Sequence, residues 1–170
     1  MKVIFYGGKQ AGLINLLATM ALGHNVVCVV PVDDIVEQVS LKMGLNVRKP
    51  KNINLDDFVD YLETLGADLF LCCHGRQIIK SRILNAFKCI NFHPCLYKYK
   101  GANPIKKLLD EGNKKASVAA HWITEDIDGG EVIVENFKEI ESQDEIGVYN
   151  ELYPLYVQTL VEVFDKIKKM

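Results

Sequence analysis

Short apolar runs separated by stretches of helical spacing constrain this chain more than any other feature. Val3-Ile4-Phe5-Tyr6 runs into Gly7-Gly8 and then into Leu13, Leu16, Leu17 and Met20, a pattern of strand, glycine turn and helix. Val26 to Val30 reads as a second strand stopped by Pro31. Asp33-Asp34 then caps a helix bearing Ile35, Val36, Val39 and Met43 and ended by Gly44. A short strand at Asn46 to Arg48, a helix around Leu55 to Leu65, a strand at Asp68 to Cys73, a weaker helix from Ser81 to Ala86 and a strand at Cys89 to Phe92 continue the alternation. Strands this apolar belong in a parallel sheet covered on both faces. After residue 115 the pattern changes, because Ser117 to Ile123 and Val132 to Phe137 flank the turn Asp128-Gly129-Gly130, which predicts an antiparallel pair. A closing helix runs from about Glu145 to Lys168, with Pro154 a candidate break. The expected fold is α/β, a Rossmann-like doubly wound, mostly parallel sheet with an antiparallel strand pair after residue 115, and 1–170 is expected to be a single domain.

Charge narrows the partners. Twenty basic against twenty-two acidic residues give a formal charge of -2, which offers no global attraction for nucleic acid or an anionic membrane. Val26 to Val30 is too short to span a bilayer, and the start of the chain lacks the long apolar stretch of a signal peptide, so a cytoplasmic location is the expectation. The five cysteines, Cys28, Cys72, Cys73, Cys89 and Cys95, contain no Cys-x-x-Cys pair and read as buried reduced thiols.

Residues two apart on a strand share a face, so Asn91 and His93 point one way while Ile90 and Phe92 turn towards the core. Pro94 ends the ladder, which places this polar pair at the carboxyl end of a strand, the edge where open α/β sheets bind ligands. Spacing alone also fits a satisfied strand-end histidine. Asp128 lies in the acidic loop Thr124 to Gly130, where an Asp-Gly turn would suffice without chemistry. A calcium loop fails there, because Thr124 replaces the leading aspartate and both flanks are strands. A zinc cluster of Cys72, Cys73, His74, His93 and Cys95 fails because adjacent strand cysteines face opposite ways, and no metal is expected. Gly7-Gly8 with Gly12 lacks the spacing of a dinucleotide or Walker loop, although amides at Gly8 and Lys9 could receive an anionic ligand at the helix start. Lys98, Lys100, Lys106 and Lys107 are either a solvated face or a place where Lys100 meets a substrate phosphate.

Taken together, Cys89-Ile90-Asn91-Phe92-His93-Pro94, Lys100-Gly101-Ala102, His121 and Ile127-Asp128-Gly129-Gly130 resemble the folate-dependent formyltransferases over roughly Gly66 to Val134. The resemblance implies an enzyme that uses 10-formyltetrahydrofolate as formyl donor, with Asn91, His93 and Asp128 catalytic and no metal. It also implies a folate site at Arg76, Gln77, Ile78, Glu125 and Ile127, and a small-molecule amine as acceptor, with homodimerisation left open. His74-Gly75-Arg76-Gln77-Ile78-Ile79 looks most like the sugar N-formyltransferases, which act on nucleotide-linked amino sugars. Gly7-Gly8-Lys9-Gln10-Ala11-Gly12 departs from the phosphate loop of glycinamide ribonucleotide transformylases, and the basic excess expected of a transfer-RNA substrate is missing. A formyltetrahydrofolate deformylase and a non-catalytic folate-binding module stay open as alternatives.

Overall fold

The near-continuous apolar strands pair as their burial requires. In the computed structural model, which describes residues 1–169, β1 (Lys2–Gly7), β2 (Asn25–Pro31), β3 (Leu69–Cys73) and β4 (Lys88–Pro94) are parallel, and β5 (Lys115–Trp122) runs antiparallel to both β4 and β6 (Val132–Glu139). They form one six-stranded sheet in the order β2-β1-β3-β4-β5-β6. One face packs Phe5, Leu71, Ile90 and Phe92 against Leu16 of α1 (Lys9–Ala21) and Tyr156 and Phe164 of α6 (Glu145–Ile167). The other packs Ile4 and Phe70 against Val59 and Leu62 of α3 (Asp56–Thr64) and Ile83 of α4 (Ser81–Ala86). Cys72 and Cys73, adjacent in sequence, belong to opposite faces.

Between β1 and β3 the winding reverses direction, and this opens a crevice at the carboxyl ends of the strands. The turn into α1 closes tightly over it. A Cβ on Gly7 would stand 2.3 Å from the Cys73 carbonyl oxygen, so only glycine fits there.

Three elements differ from the sequence reading. Asn46 to Arg48 forms no strand but a single bridge, Val29 to Val47, because Pro50 follows and cannot donate to a ladder. The remaining part of α2 (Asp34–Lys42) is as expected, capped by the Asp33 carboxylate on the Val36 amide at 3.3 Å. A further helix, α5 (Pro104–Asp110), starts with proline at its first position and buries Ile105 and Leu108. Finally, α6 passes through Pro154 without a break: Pro154 is exposed, while Leu152, Leu155, Tyr156 and Leu160 hold the helix on the sheet.

Candidate active site

The β4–β5 register sets Asn91 directly opposite His121, a cross-strand pair whose side chains share a face. The Asn91 Nδ2 to His121 Nε2 distance is 3.2 Å. His121 Nδ1 lies 2.9 Å from the Trp122 carbonyl oxygen, so Nδ1–H donates there and Nε2 can accept from the Asn91 amide. An amide NH2 carries two donors, and the second remains for a ligand.

His93, two residues along the same face, is buried. Its Nδ1 is 2.8 Å from the Pro94 oxygen, and its Nε2 is 3.0 Å from the Gly101 oxygen and 3.1 Å from Asp128 Oδ2. Each ring nitrogen thus faces only acceptors. A neutral imidazole can satisfy one such nitrogen, whereas imidazolium satisfies both. Burial works to push His93 down, but the hydrogen bond and charge of Asp128, with the Gly101 and Pro94 carbonyls, outweigh it and leave His93 above its ordinary value.

Asp128 reaches the strand ends from the β5–β6 connection. Its backbone is left-handed, with φ +51°. Burial opposes its charge, yet the neighbouring His121 ring, the hydrogen bond and charge of His93 and the Gly101 amide at 2.7 Å hold its carboxyl far below the usual range. Asn91, His121, Asp128 and His93 therefore stand as one polar row, with His121 Nε2 3.5 Å from Asp128 Oδ1. Gly130 lets the loop fold back this far: a Cβ there would stand 1.8 Å from the Trp122 oxygen. Gly130→Ala is expected to destabilise the protein by about 3 kcal/mol and to displace Asp128. Urea unfolding would read the first effect and loss of activity the second.

These groups lie in a cleft of about 420 Å³, within the usual size of a small-molecule site. Of the other residues expected to bind ligands, Arg76, Gln77, Ile78, Glu125, Ile127 and Lys9 line it, and Gly8 and Lys100 do not. The Gly8 amide donates to the Cys73 oxygen at 3.1 Å, and the Lys9 amide donates to the Asp33 carboxylate. The start of α1 is thus already served by the chain's own groups. Among the lysines after β4, Lys98 pairs with Glu111, Lys106 pairs with Asp110, and Lys107 donates to the Lys100 carbonyl. At one end of the cleft, Ile78 and Ile127 are 58% and 63% exposed and give an apolar rim. The loop there is fixed from below, because the amides of Arg76 and Gln77 both donate to the Tyr6 hydroxyl, at 3.0 and 2.8 Å. The Gln77 side chain is turned away, with Oε1 accepting from Ile53 N and Nε2 donating to Lys51 O. At the other end stand Lys9, His74, Glu145 and Tyr149.

Non-glycine residues with left-handed backbone gather here. They are Lys9, His74, Cys95, Asn103 and Asp128, and all but Cys95 line the cleft. Such strain persists where surrounding structure enforces it, commonly at functional sites. Read from sequence, His121 enters only as part of the resemblance, and Tyr6, Tyr149 and Asn103 have no assigned role. His121 and Tyr6 act through pairings that require the three-dimensional structure, Tyr149 comes from α6, and Asn103 is the left-handed residue that precedes α5.

A family model described as formyl transferase matches residues 11–163. A methionyl-tRNA formyltransferase of Buchnera aphidicola is 28% identical over 98% of this chain and 58% of its own length. The bifunctional polymyxin resistance protein ArnA of Wigglesworthia glossinidia brevipalpis is 33% identical over 85% of this chain and 24% of that protein. The chain thus spans 58% of the length of the first of these relatives and less of the second. Among solved structures, phosphoribosylglycinamide formyltransferase of Campylobacter jejuni superposes with a TM-score of 0.79 at 23% identity, covering 98% of both chains. That likeness establishes the same fold.

Proposed function

This chain belongs to the formyl transferase family, and we propose that it moves the formyl group of 10-formyltetrahydrofolate onto the primary amine of a small acceptor, a nucleotide-linked amino sugar. The observation that carries the reading is the Asn91–His121–Asp128–His93 row on the floor of the cleft. The folate supplies an electrophilic formyl carbon, whose oxygen gains negative charge as an amine adds to it. Asn91 donates its second amide proton to that oxygen, and cationic His93 adds its charge nearby. Preorganised groups of this kind are worth several kcal/mol in a dry site. Asp128 holds His93 in register and charged, and it takes part in proton removal from the amine through a bridging water.

The folate end fits its ligand chemically. The exposed faces of Ile78 and Ile127 suit a flat heteroaromatic ring, and the Arg76 guanidinium, in no ion pair among the described residues, suits a carboxylate. The acceptor end carries the aromatic face of Tyr149 with Lys9 and Glu145 beside it. Asp33 already occupies the Lys9 amide, which weighs against an acceptor held by a phosphate at the start of α1 and favours one held through its sugar.

Mass spectrometry of a panel of amines incubated with 10-formyltetrahydrofolate tests the proposal. The expected product is a nucleotide-linked amino sugar heavier by one formyl group. Formylated glycinamide ribonucleotide or formylated methionyl-tRNA would replace the acceptor, and formate released without product would replace the reaction with hydrolysis.

A further inference from the structure

His74 lines the acceptor end of the cleft with a hydrogen-bonding atom that no other group among the described residues uses. It follows β3 with φ +58°. In the β3–β4 register Cys73 lies beside Phe92, so His74 leaves the sheet at the end of the strand next to the one that carries His93. The His74 ring meets Tyr149 edge-on at 5.6 Å, and its Nε2 is 3.0 Å from the Tyr156 hydroxyl.

Tyr156 decides which nitrogen of His74 carries the proton. Its ring is fully buried, and His74 Nε2 is the only hydrogen-bond partner of its hydroxyl among the described residues. Were Nε2 protonated, the phenolic proton would be buried without an acceptor, which is costly. The hydroxyl therefore donates to Nε2, and in the neutral ring the proton sits on Nδ1. Burial, with the charges of Lys9 and His93 nearby, pushes His74 down to about 4, so the ring is neutral near pH 7. Nδ1–H has no acceptor among the described residues.

We propose that His74 is a specificity-determining residue, whose Nδ1–H donates to an oxygen on the ring that carries the acceptor amine. Tyr149 offers that ring an aromatic wall, and the Lys9 ammonium, 5.8 Å from the Tyr149 centroid, a second donor beside it. The acceptor class this selects is a hydroxylated ring such as an amino sugar, not a bare alkyl amine. This inference rests on the proposed formyl transfer for its biological meaning, but its physical content can be tested without turnover.

The first measurement is 15N NMR of the histidines in the free protein. A protonated Nδ1 with an unprotonated Nε2 on His74 is expected, and the opposite tautomer overturns the proposal. The second is equilibrium binding of a nucleoside-diphosphate-linked amino sugar and of its analogue lacking the hydroxyl next to the amine. Wild type is expected to prefer the hydroxylated ligand about tenfold, and His74→Phe to lose that preference. His74→Asn tolerates a left-handed backbone and places an amide donor near the Nδ1 position, so it is expected to keep much of the preference. A wild type that does not discriminate, or a His74→Phe that still does, overturns the proposal. Discrimination in binding without any formylated product would instead remove the formyl-transfer reading and leave the role of His74 standing.

Discussion

Asp128→Asn is expected to lower kcat about 10³-fold with little change in either KM, and to move the alkaline limb of the pH–rate profile towards lower pH. Asparagine keeps the shape of the side chain and can still accept from the Gly101 amide. It cannot supply the charge that, against the effect of burial, keeps His93 above its ordinary value. Activity that needs cationic His93 falls as pH rises through the His93 value, so lowering that value brings the fall to lower pH. Stability gives an independent check on sign. His93, being raised, contributes stability that is complete below about pH 6.5 and is lost as pH rises through its folded value. Asp128, being depressed, contributes stability present above about pH 4 and lost as pH falls through its folded value. Wild type should therefore exceed Asp128→Asn in stability most between about pH 4 and 6.5, measured by urea unfolding across that range. An unchanged alkaline limb would mean that Asp128 does not control the charge of His93.

How much of this could be read in the sequence depends on the range of the interactions involved. The pair Asn91 and His93 follows from the two-residue period of a strand and from the proline behind it, both local features. The strands of the parallel half follow from uninterrupted apolar runs, because burial on both faces removes any alternation. Their covering helices show through the spacing of residues such as Val59 and Leu62. The edges of elements were less legible. Asn46 to Arg48 carries strand-like residues, but whether it forms more than one bridge depends on its neighbour β2, and Pro50 is the only local sign against it. Helix α5 is hidden by its length: Ile105, Leu108 and Leu109 keep helical spacing, but seven residues show that spacing only once, too short a run to stand out.

The site was legible in part for the same reason. His121 comes opposite Asn91 only once the antiparallel register is fixed, and a sequence separation of 30 hides that register from local reading. Lys9 was expected to bind through its backbone, yet its amide is held by Asp33, a residue that sequence marks only as a cap for α2. What remains for a ligand is the Lys9 side chain. Lys100 was expected near the substrate because of its proximity to His93 in sequence. The chain turns there, so that Gly101, not Lys100, faces His93 and Asp128.

His93→Gln is expected to lower kcat about 10³-fold as well, because it removes the positive charge beside the developing oxyanion. The Asn91 donor is untouched, so residual activity should survive through it. The two substitutions address one unit, because Asp128 acts largely by holding His93 charged and oriented, and residues acting as a unit give non-additive losses. The double variant His93→Gln/Asp128→Asn should therefore be no more than about tenfold slower than either single variant, where independent roles would multiply to about 10⁶-fold. Folding must be followed in parallel, since His93→Gln takes the His93 charge away from the Asp128 carboxylate and leaves it the Gly101 amide. Circular dichroism and urea midpoints for the three variants separate a loss of chemistry from a loss of structure. Multiplicative losses in well-folded protein would assign Asp128 a task of its own, such as direct removal of the amine proton, and would reject its role as a support for His93 alone.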